Sequence, residues 1–74
     1  MKGIFRERKK RKLSQEKLAE MIGVNRSTIA KWETDAAYPR AKNLLALSNA
    51  FGCRLDDLLT SDDKREGVIE DGNQ

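Results

Sequence analysis

The chain has 74 residues, 38% of them hydrophobic and 36% charged, with 15 Lys or Arg against 12 Asp or Glu. That is enough for one small domain with a modest core, and a single cysteine rules out an internal disulfide to reinforce it. No run approaches the roughly twenty apolar residues of a membrane-spanning helix, and the start MKGIFRERKKRK has no apolar core for a signal peptide, so a cytoplasmic chain with no membrane partner is expected.

Lys, Arg, Glu, Leu and Ala dominate, and the β-branched residues are scattered without alternation, so the expected fold is all-α. The first helix is expected from Gly3 to Arg11, anchored by Ile4 and Phe5, with the cations Lys9, Lys10, Arg11 and Lys12 at the negative end of its dipole. Ser14 is a good N-cap for a second helix, Gln15 to Ile22. Lys17 stands where a reciprocal capping box would have Glu or Gln, so that cap is single. Gly23 supplies a left-handed residue to end the second helix, and Asn25 is expected to cap a third, Arg26 to Thr34.

Pro39 denies Tyr38 an easy helical conformation and fixes a break after Asp35-Ala36-Ala37-Tyr38. Leu44, Leu45, Leu47 and Phe51 then mark the apolar face of a fourth helix, Ala41 to Ala50, which Gly52 ends. Arg54 to Thr60 reads as a short fifth helix whose Leu55, Leu58 and Leu59 close the core, and Cys53 before it is read as packing. From Ser61 the sequence SDDKREGVIEDGNQ is too polar to order by burial, so a flexible tail is expected, with Val68 and Ile69 its one apolar pair. The expected division is therefore a domain over 1–60 and a tail over 61–74.

Charge is unevenly shared. Residues 1–60 hold 13 Lys or Arg against 7 Asp or Glu, a balance of +6, and residues 61–74 hold 2 against 5, a balance of −3, which together give the net +3. A basic compact domain with an acidic tail attracts polyanions, nucleic acid first.

The stretch Leu13 to Glu33, LSQEKLAEMIGVNRSTIAKWE, thus places two short helices around a Gly-Val-Asn turn. Leu18, Ala19 and Ile22 give the first a core face, and Ile29 and Trp32 give one to the second. The polar start of the second helix is left outward. Such a layout is a helix-turn-helix, and the major groove admits one helix whose N-terminal side chains meet base edges. Candidate base readers are then Arg26, Ser27 and, one turn later on the same side, Lys31. Arg26 can donate two hydrogen bonds to guanine O6 and N7, Ser27 is less selective, and Lys31 can reach a guanine or a phosphate. Asn25, at the edge of this set, is counted with the phosphate contacts. Gln15 opens the second helix, whose N-terminal N–H groups favour an anion.

Leu13-Ser14-Gln15, Leu18-Ala19, Gly23-Val24, Ser27-Thr28-Ile29, Trp32-Glu33, Pro39 and the stretch Leu44 to Leu59 ending in LDDLL together resemble the Cro/repressor-type (XRE-like, lambda-repressor-like) helix-turn-helix family, over roughly residues 4–59. The resemblance implies a compact five-helix DNA-binding domain with the third helix in the major groove. It also implies that Gln15 lies against the sugar-phosphate chain and that Thr34, Tyr38, Arg40 and Lys42 line the other flank. Arg8 and Glu33 are implied to pair as a structural salt bridge, with Arg8 also within reach of phosphate. Three departures stand out. Many relatives carry Gly and basic residues where this chain has Asp35-Ala36-Ala37, which moves phosphate binding toward Arg40, Lys42 and the first helix. Glu7 replaces an apolar residue and Lys12 a frequent Gly, so looser packing of the first helix is expected.

An enzyme is not expected. The chain has no His, one Cys, no zinc-ligand spacing and no Gly-rich phosphate loop, so neither metal nor cofactor nor small-molecule substrate is anticipated. Asp56 and Asp57 are neighbours on a helix and point about a hundred degrees apart, so they cannot bracket one bond. Two readings follow. One is a sequence-specific transcriptional regulator, a repressor, that binds double-stranded DNA at a pseudo-palindromic operator as a homodimer, with Leu55, Leu59, Val68 and Ile69 as candidate dimer surface. The alternative is a protein-interaction or antitoxin-like module in which DNA binding is secondary.

Overall fold

The computed structural model describes residues 1–59; the expectations for Thr60 and for the tail 61–74, including Val68 and Ile69, lie outside the described residues. Five helices follow in order: α1 (Lys2–Lys10), α2 (Gln15–Ile22), α3 (Arg26–Glu33), α4 (Ala41–Phe51) and α5 (Leu55–Leu59). Among the described residues there is no strand, as the composition required.

Local chemistry sets most boundaries. The Ser14 hydroxyl accepts from the Lys17 backbone N–H at 2.9 Å and starts α2. Gly23, at φ 79°, ends it in the left-handed region, and the Gly23 and Val24 N–H groups both close on the Ala19 carbonyl. Arg54 stands before α5, and Asp57 reaches back to accept from its N–H at 3.1 Å, so this carboxylate serves the fold. α1 stops one residue sooner than expected because Arg11 and Lys12 turn out of it. Lys12 takes φ 55° where glycine would be unstrained, a conformation that costs a residue with a Cβ about 1–2 kcal/mol.

Ile4, Leu18, Ala19, Ile29, Trp32, Leu47, Phe51 and Leu58 form the core, drawn from every helix. The expected anchor Phe5 is instead 48% exposed, and Leu45 and Leu59 are 55% and 59% exposed. The reason is common to all three. Each is next to a core residue or one position off the stripe, and a step along a helix turns the side chain by about 100°. Phe5 lies under two cations, with the Arg8 and Lys9 head groups 5.5 and 5.8 Å from its ring.

Glu7 overturns the expectation of a loosened α1. It is buried, and its carboxylate pairs with Arg11 at 2.8 Å and Lys10 at 3.5 Å. Arg11 then donates to the Phe51 carbonyl at 2.9 Å and lies 5.0 Å from the Phe51 ring, binding α1 to the end of α4. Hydrogen bonding from Arg11 holds the Glu7 carboxyl below the ordinary carboxylate value, against the opposing effect of burial. One turn before Glu7 on the same face of α1, Gly3 meets α5 so closely that a Cβ there would collide with the Leu58 carbonyl oxygen. Arg6 adds a bond to the Asp57 carbonyl at 2.6 Å. Cys53 is half-buried against the core, and burial pushes its thiol pKa up, in keeping with a packing role.

Candidate nucleic-acid interface

α3 separates its two faces cleanly. Ile29 and Trp32 are buried, whereas Asn25, Arg26, Ser27 and Lys31 are exposed. Among the described residues, Arg26 and Lys31 have no ion pair or hydrogen bond through their side chains, so both head groups stand available to solvent. The expected cap at Asn25 is only half realised. Its backbone holds the extended N-cap conformation, but its side chain makes no capping bond, and the first turn of α3 has no acidic residue. Ala30 is a further residue of this face, absent from the expected set. It lies half-buried beside Ser27 and Lys31 on the outward side, and its three-residue spacing from Ser27 was the available signal.

The flanks divide in the same way. Arg40 and Lys42 are exposed at the start of α4, which has neither a side-chain cap nor an acid in its first turn, and Tyr38 is 69% exposed beside them. Thr34 is exposed as well, but its hydroxyl hydrogen is engaged by the Ala30 carbonyl at 3.0 Å. Asp35 enters the left-handed region, at φ 65°, and the turn closes through the Ala36 and Ala37 N–H groups onto the Lys31 carbonyl. The amino group of Met1 donates to the Trp32 carbonyl and pairs with Asp35 at 2.7 Å, which offsets the negative charge of this loop.

Gln15 and Glu33 lie at the junction of three helices. Arg8 from α1 donates to Glu33 through Nε at 2.6 Å and through Nη2 at 3.1 Å, and its Nη1 donates to the Leu13 carbonyl at 2.7 Å. The Arg8 and Glu33 side chains are 9% and 5% exposed, so the pair is buried and bidentate. Gln15, expected as an outward anchor, is half-buried, and its amide donates to Glu33 at 3.0 Å.

A helix-turn-helix family model matches residues 4–58, which takes in all of the core. The chain belongs to the Cro/repressor-type helix-turn-helix family. Repressor protein C2 of Salmonella phage P22 is 46% identical over 55 residues, covering 74% of this chain and 26% of that protein. HTH-type transcriptional activator BcrR of Enterococcus faecalis is 39% identical over 51 residues, covering 69% of this chain and 25% of that protein. The chain thus spans about a quarter of the length of these curated relatives.

Among solved structures, this helix-turn-helix chain resembles the P22 c2 repressor in complex with synthetic operator 9T, with TM-score 0.75 and 43% identity, covering 82% of this chain and 92% of that one. The solution structure of the P22 c2 DNA-binding domain gives TM-score 0.74 and 41% identity, covering 86% and 84%. The five-helix, lambda-repressor-like architecture is therefore that of the family.

Proposed function

We propose that the chain is a sequence-specific DNA-binding transcriptional regulator, a repressor, that inserts α3 into the major groove of a pseudo-palindromic operator. One observation carries the reading: α3 buries Ile29 and Trp32 and leaves Arg26, Ser27 and Lys31 exposed, with the two cations unpaired among the described residues. Arg26 forms the bidentate contact to guanine, and Ser27 and Lys31 read or clamp the neighbouring positions. The Ala30 methyl is suited to a thymine methyl in the same groove. Gln15, Asn25, Tyr38, Arg40 and Lys42 hold phosphates on the two flanks, and Thr34 joins them by turning its hydroxyl from the Ala30 carbonyl. Arg8 and Glu33 hold the scaffold. The relatives support a transcriptional regulator: the P22 C2 protein is named a repressor and was solved on a synthetic operator, and BcrR is named an activator.

Two copies bind half-sites about 34–36 Å apart, one turn of the duplex. Leu59 and Leu55, exposed and half-buried on α5, supply part of the surface between them. The DNA-binding unit is residues 1–60, with 61–74 as an acidic tail, and the protein works in the cytoplasm where its operator is, with no catalytic step of its own. Selection of bound duplexes from a random pool tests the reading. Paired half-sites one turn apart and loss of discrimination in Arg26→Ala support it; equal binding to every duplex defeats it in favour of a protein-interaction module.

A further inference from the structure

The Glu33 carboxylate, at the end of α3, accepts from two other helices at once: Arg8 of α1 at 2.6 and 3.1 Å and Gln15 of α2 at 3.0 Å. An ionised carboxylate only accepts hydrogen bonds, whereas a Gln amide has a donor end and an acceptor end. Arg8 occupies both oxygens of the Glu33 carboxylate in a buried, bidentate pair. Gln15 must therefore turn its nitrogen to Glu33, since the flipped amide would set oxygen against oxygen. That nitrogen has two hydrogens and Glu33 takes one. The other remains on a half-buried residue at the first position of α2, next to the exposed Ser14 and Lys12.

Resting on the DNA-binding reading above, we propose that Glu33 is a positioning residue: it fixes the Gln15 amide so that an N–H is presented to a backbone phosphate of the duplex. A phosphate accepts and never donates, so the amide's orientation decides whether this contact forms or repels. Arg8 acts one step further back, by holding the carboxylate. The end of α3 and the start of α2 are thereby set as one unit, so that a duplex engaged by the reading helix meets its flanking donor already aimed.

A double-mutant cycle on the full chain with a selected operator duplex tests this. Gln15→Ala is expected to weaken binding about tenfold, the scale of a hydrogen bond to a charged group. In a Glu33→Gln background, where either amide orientation is allowed, the same change is expected to weaken it less than about twofold, a non-additive outcome typical of residues in one network. Additive losses would overturn the proposal. Because Glu33→Gln can unfold the chain, a second arm uses wild type and Gln15→Ala alone, with single phosphates of the duplex replaced in turn by neutral methylphosphonate. One position that weakens wild type but leaves Gln15→Ala unchanged supports the contact, and no such position overturns it. In the same samples, one protected Gln15 side-chain amide proton in the free protein and two in the complex are expected by NMR; a freely flipping amide in the free protein would also overturn the proposal. If wild type and Arg26→Ala bind selected and random duplexes alike, the DNA-binding reading itself has failed; if only the Gln15 results fail, the positioning role alone is lost.

Discussion

The helices of the helix-turn-helix begin in opposite ways. α2 starts with a hydroxyl cap from Ser14, an acid at Glu16 and an amide tied to Glu33. α3 starts with Asn25 making no side-chain cap, no acid in its first turn, and a cation at Arg26 that lies against its own dipole. The first terminus is capped from within the molecule, with one Gln15 amide hydrogen to spare. The second is left with donors and positive charge facing outward, which is poor for isolated stability and suited to a polyanion.

The contrast predicts which changes cost folding and which cost binding. Arg8→Ala leaves the Glu33 carboxylate buried without its charge partner, and urea or thermal unfolding is expected to register a loss of about 3–5 kcal/mol. An effect under about 1 kcal/mol would mean that the vertex of three helices is not what holds α3. Arg26→Ala is expected to do the reverse. Its stability should change by less than about 0.5 kcal/mol, while affinity for the preferred duplex falls by about 1–3 kcal/mol in titrations at fixed salt. Ser14→Ala and Asn25→Ala compare the termini directly. The first is expected to cost about 1 kcal/mol of stability and the second only a few tenths, because only the first removes a capping bond. Equal losses would erase the distinction.

The smallest expected effect is set by pH at Glu7. Its carboxyl lies below the ordinary value in the folded chain, chiefly through Arg11, so the unfolded chain takes up its proton at higher pH than the folded one. The stabilisation is complete above the ordinary carboxylate range and is lost as pH falls through the lowered folded value. Denaturation followed between neutral and strongly acidic pH is expected to show this loss in wild type and a shallower one in Glu7→Gln.

Sequence reasoning reached what depends on near neighbours. The bounds of α2, the Ser14 cap, the left-handed Gly23 and the buried Trp32 all follow from residues a few positions apart. It reached the Arg8–Glu33 pair only through the family resemblance. Phe5, Leu45 and Leu59 face outward against expectation because hydrophobicity does not tell which of two adjacent side chains a helix turns to the core. The Gln15–Glu33 bond spans 18 residues and depends on how α2 and α3 cross, which no local pattern encodes. Glu7 was within reach, since Arg11 lies one turn further on, but a carboxylate facing a core is recognised only once its partner and the Phe51 carbonyl are seen together.

Trp32 is the chain's one tryptophan, 3% exposed, on the inner side of the helix whose outer side carries Arg26 and Lys31. Its fluorescence is therefore expected to gauge unfolding, with emission shifting to the red as the bundle opens and Trp32 meets water. Folding can thus be followed optically in the same cuvette as a DNA titration, without attaching a dye.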